Sequence, residues 1–378
     1  MNRTEFMFTT SGCYRCRGTH QVAVNDDFRI RSPHADLQLP HPYVYRGSRS
    51  ERLSSLEARS LNAAPLDTGN YFFILRNIQP FKNRDQFDRY ANILRTSFGQ
   101  TQHTIFDQVR GYYPLGTQFV VLPMDFEFMS AGAIKTDIYR QHDELASLRD
   151  SNPKHVIPFI AVDPRRENVL DMVKGLVENN DFKGIKIYPP LGYRPDDEVL
   201  YDVYEYAQQN NLPIMAHCSR GGARNRDMPI DLLQSYTDPD NYKRILNDFP
   251  DLRVCLAHFG GDAEWEAYLQ NPWVETSDER TKSWVSKIMD MMKSGDYPNL
   301  YTDISYTIFR FEANIKVLKV LLTNDRVRSQ VLFGSDFYMV EIEKLQERRL
   351  SIYLRAELGE ELFWQIAEQN PKRYLGLS

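Results

Sequence analysis

From about residue 70 onward the chain alternates short, continuous apolar runs with longer segments whose apolar positions recur at helical spacing. The runs are YFFIL (71–75), TQFVVLPMDF (117–126), HVIPFIAVD (155–163), FKGIKIYP (182–189), LPIMAHC (212–218), LRVCLAHFG (252–260), LYTDISY (300–306) and QVLFGSDF (330–337). They are rich in β-branched and aromatic residues and apolar on consecutive positions, as parallel strands covered on both faces must be. Between and after them the spacing predicts helices over 84–98, 139–150, 167–179, 197–210, 241–250, 313–325, 343–358 and 360–375. Seven or eight strand–helix units in about 300 residues fit a distorted (β/α)8 TIM barrel better than a doubly wound sheet. Residues 1–66 show neither period and read as an irregular N-terminal segment, leaving 67–378 as the barrel domain. The first strand is the uncertain one, with 71–75 as its nearest candidate.

Length and composition agree with one large soluble domain: 378 residues, 42% hydrophobic and 26% charged. With 46 basic against 51 acidic residues, the net charge of −5 gives no broad attraction to nucleic acid or an anionic membrane. No apolar run reaches the roughly 18 residues of a spanning helix, and the opening MNRTEFMFTTSGCYRCRG lacks the apolar stretch of a secretory signal. A cytoplasmic protein is expected, and homo-oligomer formation is left open. Four cysteines (Cys13, Cys16, Cys218 and Cys255) are too sparse for a disulfide scaffold and are expected as free thiols. No GxGxxG or GxxxxGK[ST] follows any run, so dinucleotide and P-loop sites have no motif.

In a barrel of this kind the site lies at the C-terminal strand ends. There LPIMAHC supplies His217, LRVCLAHFGG supplies His258 and VLFGSDF supplies Asp336, while Lys186 sits inside FKGIKIYP. Two imidazoles and a carboxylate suit a divalent transition metal, whose bound water becomes a nucleophile near neutral pH. Taken singly, each histidine also fits a hydrogen-bonded core residue. The Gly-rich loop HCSRGGARNR (217–226) carries Arg220, Arg224 and Arg226, which could grip a carboxylate or simply form a solvated basic loop. Asp125, Asp163, Asp303 and Tyr306 also fall near strand ends, with helix capping the simpler reading for Asp163. Cys13, Cys16 and His20 invite a zinc reading, but a closed zinc site needs a fourth ligand and no second CxxC exists; His34 and His41 match no module.

From about residue 117 to the C-terminus, the order VVLPMDFEFM, PFIAVDPRR, FKGIKIYPPLGY, LPIMAHCSRGG, LRVCLAHFGG, VLFGSDF and NPKRYLGL resembles the amidohydrolase-related (amidohydrolase 2) metal-dependent hydrolases, the branch that includes aminocarboxymuconate-semialdehyde decarboxylase. The resemblance implies His217 as a metal ligand, His258 as a general acid/base or a partner behind the metal ligands, and Asp336 as a ligand that also takes a proton from metal-bound water. Zinc is the metal expected from it, with manganese or iron as alternatives. Lys186, Arg220 and Arg224 would hold a small anionic substrate.

The expected activity is hydrolysis of a C–N or C–O bond. Non-oxidative decarboxylation on the same site and a catalytically inactive, ligand-binding barrel are the alternatives. The last arises because the family's His-x-His at the end of the first strand occurs nowhere in this sequence. A first strand missing from the chain, replaced ligands and loss of the metal would each account for that.

Overall fold

A computed structural model of the protein describes residues 101–134, 136–270 and 282–377, together with the backbone of 6–11. Its centre is a parallel sheet of eight strands in sequential order: β1 (Phe6–Ser11), β2 (Gln118–Pro123), β3 (Val156–Val162), β4 (Gly184–Ile187), β5 (Ile214–Ser219), β6 (Val254–Gly260), β7 (Leu300–Asp303) and β8 (Val331–Leu332). Helices follow the strands: α1 (Gln102–Arg110), α2 (Ile138–Ser151), α3 (Val169–Asn180), α4 (Glu198–Gln209), α5 (Ile230–Tyr236), α6 (Asn241–Asp248), α7 (Asp262–Gln270), α8 (Trp284–Ser294), α9 (Phe311–Leu321), α10 (Asp325–Gln330), α11 (Glu347–Leu358), α12 (Glu360–Trp364) and α13 (Asn370–Leu375). The architecture is a distorted (β/α)8 barrel.

Seven of the eight apolar runs become strands where the sequence puts them. The first does not: 71–75 and the helix predicted over 84–98 lie outside the described residues, and β1 is instead Phe6–Ser11, paired in register with Gln118–Pro123. A barrel strand inside the stretch expected to be irregular corrects that expectation for these six residues. FMFTTS is short and has no periodic neighbourhood, so only its pairing with β2 reveals it. Helices α1, α5, α7, α8 and α10 were also not predicted. β8 is cut to two residues because Phe333 N donates to Ile366 O at 2.8 Å rather than to a neighbouring strand.

Strand alternation sorts the side chains. Lys186, Met215, Cys255 and Tyr301 form one row in register across β4–β7. Met215, Cys255 and Tyr301 pack with Val120, Leu122 and Phe159 in a cluster separate from the larger core between sheet and helices. Tyr374 and Leu375 of α13 join that inner cluster, Tyr374 meeting Tyr301 at 5.2 Å between ring centres. Two residues further along each strand, the same face presents His217, Ala257 and Asp303 at the next level. Apolar packing therefore gives way to polar groups toward the C-terminal ends. Among the described residues no helix is long and apolar enough to cross a membrane.

Candidate active site

The strands bring His217 and His258 into direct contact: His258 Nε2 lies 3.1 Å from His217 Nδ1 and the rings are 4.9 Å apart. Both side chains are buried. Their protons can be assigned from their other partners. His217 Nε2 lies 3.0 Å from Gly221 O, and a carbonyl only accepts, so this nitrogen carries the hydrogen and Nδ1 is an acceptor. On the far side, His258 Nδ1 lies 2.9 Å from Ser305 Oγ and 3.2 Å from Ser305 O. Ser305 spends its one hydroxyl proton on Asp303 Oδ1. Both nitrogens of His258 thus face acceptors, and the network is fully satisfied when His258 holds two protons. His217 stays neutral, its pKa held well below the usual histidine value by burial and then by His258 and Lys186.

Asp303 anchors this chain of bonds. It is buried, and its Oδ1 also accepts from His258 N at 3.0 Å and Ser305 N at 2.9 Å. The backbone around it is strained: His258, Phe259 and Tyr306 have φ of 69°, 47° and 57°. Thr307 Oγ1 donates to His258 O at 2.8 Å and Trp265 Nε1 to Phe259 O at 2.9 Å, which helps hold the left-handed segment in place. Tyr188 covers the other face of His217, with ring centres 4.3 Å apart. A Cβ at Gly222, where φ is +95°, would come within 2.2 Å of Tyr188 Oη, so the loop after β5 closes this tightly only with glycine there.

Lys186 is buried with its Nζ 5.7 Å from the Tyr188 ring centre, and it lines a small pocket with Asp125, Asp163, Tyr188 and Tyr193. It has no hydrogen-bond or ion-pair partner among the described residues. Burial lowers its pKa, against the opposing pull of Asp336 first and Asp303 second. Asp336 follows β8 in a left-handed conformation, φ 69°, on this side of the barrel.

The remaining candidates have other employment. Arg220 stacks its guanidinium 4.4 Å over Trp284 and pairs with Glu264, whereas Arg224, in the same loop, has no ion-pair partner among the described residues. Asp125 is held by Arg166. Asp163 accepts from Arg165 N at 3.1 Å and Arg165 Nε at 2.8 Å, which closes a local turn; the helix capping expected of it is not seen, because the N-cap of α3 is Asn168. Arg226 is exposed, and Tyr306 Oη reaches Glu343 at 3.5 Å. Cys218 and Cys255 are free and buried; Cys13, Cys16, His20, His34 and His41 lie outside the described residues. Sequence reasoning missed Ser305 and the Gly221 carbonyl. The hydroxyl two residues after Asp303 was its only available signal.

The described residues do not form a metal site. Both ring nitrogens of His217 are engaged, and no three His, Cys, Asp or Glu side chains among the described residues gather closely enough to hold an ion. β1 ends in Thr-Thr-Ser, without the paired histidines of the family pattern.

Three comparisons place this geometry among known proteins. A family model described as amidohydrolase matches residues 115–377. No curated protein matches the chain. A dihydroxybenzoic acid decarboxylase from Polaromonas sp. JS666, solved with manganese and 2-nitroresorcinol, is similar at TM-score 0.53 and 14% identity, over 79% of this chain and 91% of that one. A manganese-bound 5-carboxyvanillate decarboxylase from Novosphingobium aromaticivorans gives TM-score 0.53 and 12% identity, over 99% and 97%. At such identities the likeness is one of fold.

Proposed function

The chain belongs to the amidohydrolase family, and from that premise we propose that it is a non-oxidative decarboxylase of a small carboxylated substrate. The observation that carries this is His258 held between His217 and the Ser305–Asp303 pair, in contacts that are all satisfied when its ring donates from both nitrogens. Decarboxylation needs a proton delivered to carbon. The bond to the carboxylate breaks, CO2 leaves, and the released electron pair ends in the new C–H bond. The proton between His258 Nε2 and His217 Nδ1 is the one available for this, and Asp303 and Ser305 keep the donating ring oriented and electrostatically supported. Arg224 is the loop cation free to meet a carboxylate, and Lys186 lies deeper, on the inner face of the barrel. The decarboxylase identity of the two similar structures supports the same choice.

Hydrolysis by metal-bound water, the reaction expected first, asks for more than the described residues provide. His217 and Asp336 are the two ligands it would use, with zinc or manganese as the ion, and among the described residues no third joins them. No step is therefore routed through a metal.

The test is a screen of hydroxybenzoates and short oxo acids, scoring CO2 release against acid release, with metal content measured on the same preparation. We expect CO2 release, lowered by about 10²- to 10⁴-fold in His258→Gln, the usual worth of a general acid. Acid release without CO2, or full activity in the variant, would overturn the proposal.

A further inference from the structure

The proton relay leaves one chemically capable group unused. Lys186 stands on the inner face of the barrel, level with Met215 and Cys255 and one layer below His217. Phe159 packs beneath it: a Cβ at Gly184, the preceding inward position of β4, would lie 2.4 Å from that ring. A buried lysine that serves the fold is expected to sit in an ion pair, because an unpaired ammonium is costly to desolvate. Of the two carboxylates that pull on Lys186, Asp336 first and Asp303 second, neither is bonded to it, and Asp303 is already committed. Asp303 Oδ1 accepts from His258 N, Ser305 N and Ser305 Oγ, and Oδ2 takes the Cys255 thiol at 3.8 Å. The amine instead borders a small pocket that Tyr188 and Tyr193 also line. Tyr188 in turn stacks on His217, so the amine and the acid/base pair share one aromatic neighbour.

We propose that Lys186 is a nucleophile that forms an imine with the carbonyl of a small 3-oxo carboxylate. The inference rests on the decarboxylation reading and narrows its substrate class. The Nζ lone pair attacks the carbonyl carbon; the carbonyl oxygen leaves as water with one amine hydrogen and one proton from solvent, and the other amine hydrogen stays on nitrogen. In the protonated imine, the carbon two bonds from nitrogen bears the carboxylate. When that C–C bond breaks, its electrons form the enamine and the C=N pair returns to nitrogen, releasing CO2. A proton from the His258–His217 pair then goes to the enamine carbon, and water restores the free amine and a ketone. The number of electrons is conserved throughout, and no oxidant or reductant is needed. Burial, which disfavours the ammonium form, favours the attacking amine.

The experiment is incubation of the full chain with acetoacetate and sodium cyanoborohydride, followed by peptide mapping by mass spectrometry. We expect a reduced adduct on Lys186 at least about tenfold above any surface lysine, since those stay protonated at neutral pH. The adduct should carry an isopropyl group wherever decarboxylation precedes reduction. Lys186→Arg keeps the charge and should lose both the adduct and acetone formation while its melting curve remains cooperative. If that variant fails to fold, the wild-type map still decides. Labelling confined to surface lysines overturns the imine, and CO2 release by the same preparation would then leave the decarboxylase reading standing. An adduct on Lys186 without CO2 release from any substrate supports the imine and overturns that reading.

Discussion

Replacing Glu347 with glutamine should change how stability depends on pH, by an amount the structure sets. Glu347 lies on α11 with its carboxyl buried, accepting from Tyr113 Oη at 2.6 Å. Burial pushes the carboxyl from 4.5 up to about 7, against the hydrogen bonds of Tyr113 and Ser335 that favour its charged form. A carboxyl whose folded pKa is raised contributes stability that is fully present below the unfolded value and is lost as pH rises through the folded one. Here the window runs from about 4.5 to about 7, and at about 1.4 kcal/mol per pKa unit the loss amounts to about 3 kcal/mol. The wild-type curve alone will not show it. His142, buried and lowered from 6.5 to about 3, works in the opposite sense, its contribution falling away as pH drops from 6.5 toward 3. Between roughly pH 4.5 and 6.5 the two slopes nearly cancel. The difference between Glu347→Gln and wild type removes His142 from the comparison. Glutamine keeps a carbonyl for Tyr113 and never ionises. Urea unfolding at pH 5, 6, 7 and 8 should show the variant gaining on wild type by about 2.5 kcal/mol across the series, most of it by pH 7. A difference constant to within about 0.5 kcal/mol would refute the reasoning, because the carboxyl would then be ionising in the folded state as it does in the unfolded chain.

Two further substitutions test the packing that builds the site. Gly184→Ala drives a methyl into the Phe159 ring and should cost about 1–3 kcal/mol in urea unfolding, as overpacking of a filled core does; an unchanged midpoint would mean that the barrel interior is loose there. Gly222→Ala meets Tyr188 Oη and must also hold φ near +95°, so it should displace Tyr188 from His217 and lower CO2 release with only a small drop in melting temperature. Undiminished turnover in that variant would show that the loop does not shape the site.

The sequence alone determined the fold class and the layer in which the candidate site lies. Continuous apolar runs at regular intervals specify parallel strands buried on both faces. Strand alternation then fixes which side chains share a level, so His217, His258 and Asp336 could be read as strand-end residues without coordinates. Both are local properties of the chain, set by neighbours a few positions away. β1 escaped because six residues without a periodic surrounding become a strand only through the partner they meet more than a hundred positions later. The proton arrangement escaped for the same reason. Gly221 turns back onto His217, Ser305 reaches His258 from 47 positions away, and Asp303 is consumed by donors from two strands. Which nitrogen donates, and whether Lys186 keeps a partner, depends on sheet register and loop path. Residue identity names the groups that can exchange a proton, and only the tertiary structure decides which of them meet.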